Sequence, residues 1–264
     1  MNTDDMNTND MDTSKQSISK DSPFGGRGAT SPFEGRGALR KAIKVCGMRE
    51  PENIRAVAEL GVDMMGFIFW EKSPRNVQQL HIPAGTIPDR DGDHLSDCKS
   101  KDCKLVGVFV DEMPQNIITR IYNYNLDYIQ LHGNESTTYI DNLRRSLVPD
   151  IAPDVKIIKA LSISCADDVQ RWREYDGHVD MLLFDTKCKS VGGSGEQFDW
   201  SVLDTYDGTL PFLLSGGIGP DDAERVHQFH HPMCIGIDLN SRFEDEPGVK
   251  NVEKLRTFCA QINN

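Results

Sequence analysis

Ala42-Ile-Lys44-Val-Cys46-Gly-Met48-Arg-Glu-Pro51-Glu-Asn-Ile54-Arg-Ala-Val57-Ala-Glu-Leu60-Gly61 reads as a strand, a turn and a helix. Ala42–Cys46 is short and apolar apart from Lys44, the texture of a strand buried on both faces. Pro51 suits a first helical position, and Gly61 suits a C-cap. The turn between them decides the fold. A doubly wound nucleotide-binding sheet carries a glycine-rich loop after its first strand, and Cys46-Gly47-Met48 is not such a loop.

The same unit recurs downstream. Further apolar runs of strand length are Met64–Phe69, Leu105–Val110, Tyr128–Leu131, Val155–Ala160, Met181–Phe184, Phe212–Leu214 and Cys234–Leu239. Helices are predicted over Pro51–Leu60, Pro114–Asn123, Ser136–Leu147, Cys165–Tyr175, Trp200–Tyr206, Asp221–Phe229 and Val249–Ile262, several with acidic or hydroxyl residues at their starts. The second crossover is less regular: Val77–Ala84 is short, and the polar Ile87–Cys103 reads as a loop. Alternating strands and helices predict a single (β/α)₈ TIM barrel.

The chain has 264 residues, enough for one such barrel. Residues 1–40 are rich in Asn, Asp, Thr, Ser and Gly and nearly repeat Ser22–Ala29 as Ser31–Ala38. They read as a low-complexity, disordered tail, with the barrel domain spanning 41–264. A net charge of −12 argues against nucleic acid or an anionic membrane as general partner. No apolar run reaches the roughly 20 residues that span a bilayer, and no secretory signal is visible. Seven cysteines scattered over the chain do not form a disulfide pattern, so a cytoplasmic home is expected. Cys98 and Cys103 have no second Cys/His pair to complete a zinc site.

Barrels of this kind keep their chemistry at the C-terminal ends of the strands. Those ends carry Lys44 and Cys46, then Ser73-Pro74-Arg75, Gln130-Leu-His132-Gly133, Asp185, Ser215-Gly216-Gly217, and Asp238 with Ser241. Gly216 and Gly217 after the seventh strand, with Ser241 after the eighth, suggest a phosphate site built from backbone N–H groups and a hydroxyl. Gly-Gly alone would read as a tight turn.

Lys44-Val-Cys46-Gly47, Gly66-Phe-Ile-Phe69, Ser73-Pro74-Arg75, Gly107-Val-Phe-Val110, Gln130-Leu-His132-Gly133, Gly192-Gly-Ser-Gly195, Phe198-Asp199-Trp200, Leu214-Ser-Gly-Gly217 and Asp238, Ser241, Glu244, Pro247-Gly248 resemble, in order, the pattern of the phosphoribosylanthranilate isomerase family. The resemblance covers nearly everything after the tail. It implies an Amadori rearrangement of a sugar phosphate that needs neither metal nor other cofactor. It implies Cys46 as general base, Asp185 as general acid and Arg75 as the contact for the anthranilate end of the substrate. An acid working near neutral pH must hold its proton there, which burial favours.

Read bottom-up, Cys46 is otherwise a small buried hydrophobe, Asp185 a loop carboxylate and Arg75 a solvated surface residue. His132 either touches substrate or satisfies strand-end hydrogen bonds. Lys44 would point the same way as Cys46 and act electrostatically. Asp238 is expected to bond loop backbone at the barrel top. Asn251 and Arg242 depart from the family pattern; Asn251 should affect a helix start, and Arg242 faces either phosphate or solvent. The chain is expected as monomer or homodimer. Rival readings are a metal-dependent epimerase or an indole-glycerol-phosphate synthase, whose metal ligands or Lys/Glu set are not evident, and a silent scaffold, which would not need base, acid and phosphate loop together.

Overall fold

The computed structural model describes residues 41–77, 102–186 and 198–263. The predicted tail, most of the second crossover and the Gly192–Gly195 loop lie outside the described residues. Eight parallel strands close into a barrel in sequence order: β1 (Ala42–Cys46), β2 (Met64–Ile68), β3 (Lys104–Phe109), β4 (Tyr128–Leu131), β5 (Lys156–Ile163), β6 (Met181–Thr186), β7 (Phe212–Ser215) and β8 (Cys234–Leu239). Each predicted apolar run is one of these strands. β8 returns to β1 with Lys44 opposite Asp238 and Val45 opposite Leu239.

Alternation along the strands divides the apolar residues into two cores. Met64, Val106, Tyr128, Ile158, Ala160, Met181, Leu183 and Leu213 fill the barrel interior. Ile43, Val45, Ile129, Leu131, Ile157, Leu161, Phe184, Leu214 and Ile237 join the helices in the outer layer. Continuous apolar runs are thus what a sheet covered on both sides requires.

The helices are α1 (Pro51–Ala58), α2 (Pro114–Tyr124), α3 (Thr137–Leu147), α4 (Ala166–Gln170), α5 (Trp172–Tyr175), α6 (Ala223–Gln228) and α7 (Val252–Asn263). Ser136 Oγ caps α3 by accepting from Tyr139 N–H at 3.2 Å. Asn251 Oδ1 accepts from Lys254 N–H at 2.9 Å, so the departure at this position does bear on a helix start.

Four predicted helices differ from expectation. The segment before Tyr175 breaks at Arg171, where bonds run from Arg171 N–H to Asp168 O and from Glu174 N–H to Arg171 O. That tightening lets Trp172 and Arg173 both reach Asp207. Trp200–Thr205 is a 3₁₀ helix capped by Asp199, and Pro220–Asp222 forms another ahead of α6. Val249–Lys250 is not helical: as β10 it pairs antiparallel with β9 (Glu244–Glu246).

One buried network fixes the tops of β3, β4 and β5. Lys159, on the outer face of β5, donates to Leu131 O at 3.4 Å, Gly133 O at 2.7 Å and Glu135 Oε2 at 2.8 Å. The Glu135 carboxylate accepts from Asp111 N–H and Gly133 N–H. Both side chains are at most 2% exposed. Removing one partner of such a pair strands the other charge in a water-poor layer. Glu135→Ala should therefore cost about 3–5 kcal/mol in urea unfolding. Glu135→Leu combined with Lys159→Met removes both charges and should recover part of that loss, the Asp111 and Gly133 N–H groups staying unpaired; equal losses for both proteins would contradict the account.

Candidate active site

The inward residues at the strand tops surround a cavity of about 200 Å³. Its wall takes Cys46 from β1, Ile68 from β2, Val108 from β3 and Gln130 and His132 from β4 and its end. Asp185 from β6, Ser215–Ile218 from β7 and its turn, and Asp238 and Asn240–Arg242 from β8 and its turn complete it. Six of the residues singled out in the sequence, Cys46, His132, Asp185, Gly216, Gly217 and Ser241, thus meet in one wall. Arg242, left between phosphate and solvent, belongs to it too.

Cys46 is buried, and its place depends on Gly66 opposite it on β2. A Cβ at Gly66 would stand 2.7 Å from Cys46 Sγ, so only glycine leaves the thiol its room. Burial, with the Asp238 charge beside it, pushes the thiol above its ordinary range. Lys44 and Lys250 oppose that shift, Lys44 through a hydrogen bond as well as its charge. The resting site therefore holds a thiol, flanked by two cations that lower the cost of the thiolate.

Asp238 corrects an expectation. It does not serve loop backbone; it lies inside the barrel and accepts from Lys44 Nζ at 2.7 Å and from Ser215 Oγ at 3.1 Å. Lys44 is wholly buried. Burial works against its charge, but Asp238 and Cys46 together hold its pKa above the ordinary lysine value.

Asp185 Oδ2 lies 3.6 Å from His132 Nε2, and His132 Nδ1 lies 3.1 Å from Gln130 Nε2. Gly216 and Gly217 both take positive φ, at 99° and 69°. A Cβ on Gly216 would collide with the Thr186 backbone, so this turn sits tightly against the end of β6. Ser241 opens a short 3₁₀ turn, Ser241–Phe243, directly after β8.

Arg75 stands apart from that wall. Its Nε and Nη2 fork onto Glu244, with Nε at 2.9 Å from both carboxylate oxygens and Nη2 at 2.6 Å from Oε2. Lys250 Nζ reaches the same carboxylate at 2.6 Å and Asn240 Oδ1 at 2.8 Å. Burial opposes ionisation of Glu244. Hydrogen bonds from Arg75 and Lys250, the Lys250 charge and the Gly248 N–H nevertheless hold it below the usual carboxylate range. The Glu244 hydrogen bonds chiefly keep Arg75 firmly charged. The sequence reading passed over Gln130, Lys250 and the Glu244 pairing. A lone Gln amid the apolar residues of β4 was the available signal for the first.

The family model for N-(5′-phosphoribosyl)anthranilate isomerase matches residues 43–261. An isomerase of that name from Parabacteroides distasonis is 46% identical over 83% of this chain and 92% of its own. A solved structure of monomers derived from dimeric phosphoribosylanthranilate isomerase of Thermotoga maritima matches at TM-score 0.65 and 26% identity, over 84% of this chain and 98% of its own. Another, of phosphoribosylanthranilate isomerase in complex with reduced 1-(o-carboxyphenylamino)-1-deoxyribulose 5-phosphate, matches at TM-score 0.63 and 27% identity, with the same coverage.

The raised thiol gives a direct test. Alkylation of Cys46 by iodoacetamide, followed by peptide mass mapping, should rise with pH along a curve whose midpoint lies above the ordinary thiol value of about 8.5. A midpoint below that value would contradict the dominance of burial over the two lysines.

Proposed function

The chain belongs to the N-(5′-phosphoribosyl)anthranilate isomerase family, and on that premise we propose that Cys46 is its general base and Asp185 its general acid. The enzyme converts N-(5′-phosphoribosyl)anthranilate to 1-(2-carboxyphenylamino)-1-deoxyribulose 5-phosphate, an Amadori rearrangement of tryptophan biosynthesis. The observation that carries the residue assignment is the cavity itself. β7 and β8 separate β6 from β1 on one side, and four strands separate them on the other, so a thiol and a carboxylate approach one space from different walls.

The chemistry needs that arrangement. Asp185 protonates the furanose oxygen, and the C1′–O bond breaks with its electron pair passing to oxygen. The nitrogen lone pair forms the C1′ iminium. Cys46 first gives up its proton, the thiolate being favoured by Lys44 and Lys250, and then takes the C2′ proton; the C–H pair becomes the C1′=C2′ bond, and the iminium pair returns to nitrogen. Protonation at C1′ and loss of the enol proton then give the C2′ ketone. Electrons balance without an oxidant or reductant. Each proton transfer assisted by a placed group contributes roughly 10²–10⁴-fold.

In this reading the substrate phosphate lies against Gly216, Gly217 and Ser241, because loops after strands seven and eight suit an anion. Arg75 receives the anthranilate carboxylate. Glu244 occupies its Nε/Nη2 edge and leaves the Nη1 edge for the substrate, so the guanidinium is held in place before binding. His132 supports Asp185. All these residues come from one chain, so the proposed site draws nothing from a second copy, whether the protein is monomer or homodimer. Residues 41–264 form the catalytic domain in this proposal, and the tail takes no part in the chemistry. No described helix is long and apolar enough to cross a membrane. A cytoplasmic location fits a phosphorylated substrate.

Substrate generated in situ and followed by loss of its anthranilate-type fluorescence tests the assignment. Cys46→Ala and Asp185→Asn should each lower kcat by about 10²–10⁴-fold while the fold is kept. Full activity in either variant would remove that residue from its role. Arg75→Lys keeps the charge but loses the fork. It should raise KM more than it lowers kcat, with inhibition by inorganic phosphate unchanged; an unchanged KM would place the carboxylate elsewhere.

A further inference from the structure

Gln130 is 1% exposed and sits mid-strand in β4, facing inward between outward-facing Ile129 and Leu131. A primary amide in such a place costs about 1–3 kcal/mol unless its hydrogen bonds are made. A leucine would fill the same space without that cost. Gln130 and His132 are two residues apart and face the same side of the strand, and the amide Nε2 lies 3.1 Å from imidazole Nδ1. The other imidazole nitrogen, Nε2, faces Asp185 Oδ2 at 3.6 Å. That separation is longer than a formed hydrogen bond, as catalytic contacts often are before substrate is bound.

We propose that Gln130 is a positioning residue whose amide N–H holds His132 in the tautomer that carries its proton on Nε2, facing Asp185. A neutral imidazole has one donor and one acceptor nitrogen. An amide NH₂ on Nδ1 requires the lone pair there, so the proton resides on Nε2. Gln130 Oε1 is buried with no partner among the described residues. The amide presents Nε2, not Oε1, to the ring; turned over, Oε1 would accept from Nδ1–H and fix the opposite tautomer, which is the outcome the spectrum below distinguishes.

The consequence falls on the acid, so the inference rests on the assignment of Asp185 proposed above. When Asp185 delivers its proton to the ring oxygen it becomes a carboxylate. An Nε2–H pointing at it stabilises the charge as it develops. The other tautomer would present a lone pair to that new charge. Gln130 touches no reacting atom and acts through His132.

Nuclear magnetic resonance of full-length protein selectively labelled with ¹⁵N in histidine reads the tautomer directly from two-bond ¹H–¹⁵N couplings. The signal of His132 is the one absent from His132→Asn. The wild type should show the Nε2–H form. Gln130→Leu, close to the original volume and apolar, should show a mixture. Gln130→Glu, which sets a carboxylate against Nδ1, should move the proton to Nδ1. In both variants kcat should fall by up to about a hundredfold with KM little changed. An Nδ1–H form in the wild type, or the same tautomer in all three proteins, overturns the proposal. Full activity of Asp185→Asn would instead sink the acid assignment while leaving the tautomer result standing, so the two failures are separable.

Discussion

The barrel closes on an ion pair. Bringing β8 back to β1 sets Lys44 opposite Asp238, and their side chains meet at 2.7 Å inside the barrel. Lys44 is wholly buried and Asp238 nearly so, so neither charge is tolerable there without the other. The pair ties the closing strands together in register beside Cys46. It also explains the electrostatics of that thiol. Lys44 favours the thiolate, Asp238 and burial oppose it, and burial prevails. Pairing Asp238 with Lys44 and Ser215 further spares a phosphorylated substrate an unneutralised carboxylate in the wall it approaches.

Two more polar networks hold further groups of the site. Lys159 and Glu135 bind the tops of three strands and thereby hold the turn that follows His132. Glu244, Lys250 and Asn240 hold Arg75, and Asn53 of α1 pairs with the Lys250 backbone in both directions. Cys46, His132 and Arg75 thus project from strand ends or turns held by a buried charge with its partners. Rigidity of that kind keeps reacting groups within the narrow geometry that proton transfer requires.

The strands were legible because both sheet faces are covered, which leaves a continuous apolar run with a clear start and stop. The longer helices were legible from Pro51, Pro114 and Ser136 at their starts. Legibility failed where periodicity had too few residues to act on, as at Trp200–Thr205 and Pro220–Asp222, and at Arg171, where i→i+3 bonds break the helix before Tyr175. Within the site, residues at strand ends could be found from topology and from the ordered motifs. Partnerships could not. Arg75 and Glu244 are 169 residues apart, and Lys44 and Asp238 are 194 apart. Only closure of the barrel makes them neighbours, and for that reason Asp238 was expected to bond loop backbone and not Lys44. Gln130 was quoted within a motif and given no role, since its purpose appears only once His132 stands between it and Asp185.

The central claim is that sugar chemistry occurs between Cys46 and Asp185, and a crystal structure of this enzyme with reduced 1-(o-carboxyphenylamino)-1-deoxyribulose 5-phosphate tests it most directly. The account predicts the sugar carbons between Cys46 Sγ and the Asp185 carboxylate, with C2′ about 3–3.5 Å from the sulfur. It predicts the phosphate on the Gly216–Gly217 turn beside Ser241, and the aryl carboxylate on Arg75. A ligand whose sugar lies away from Cys46, or has both residues on one side of it, would contradict the claim.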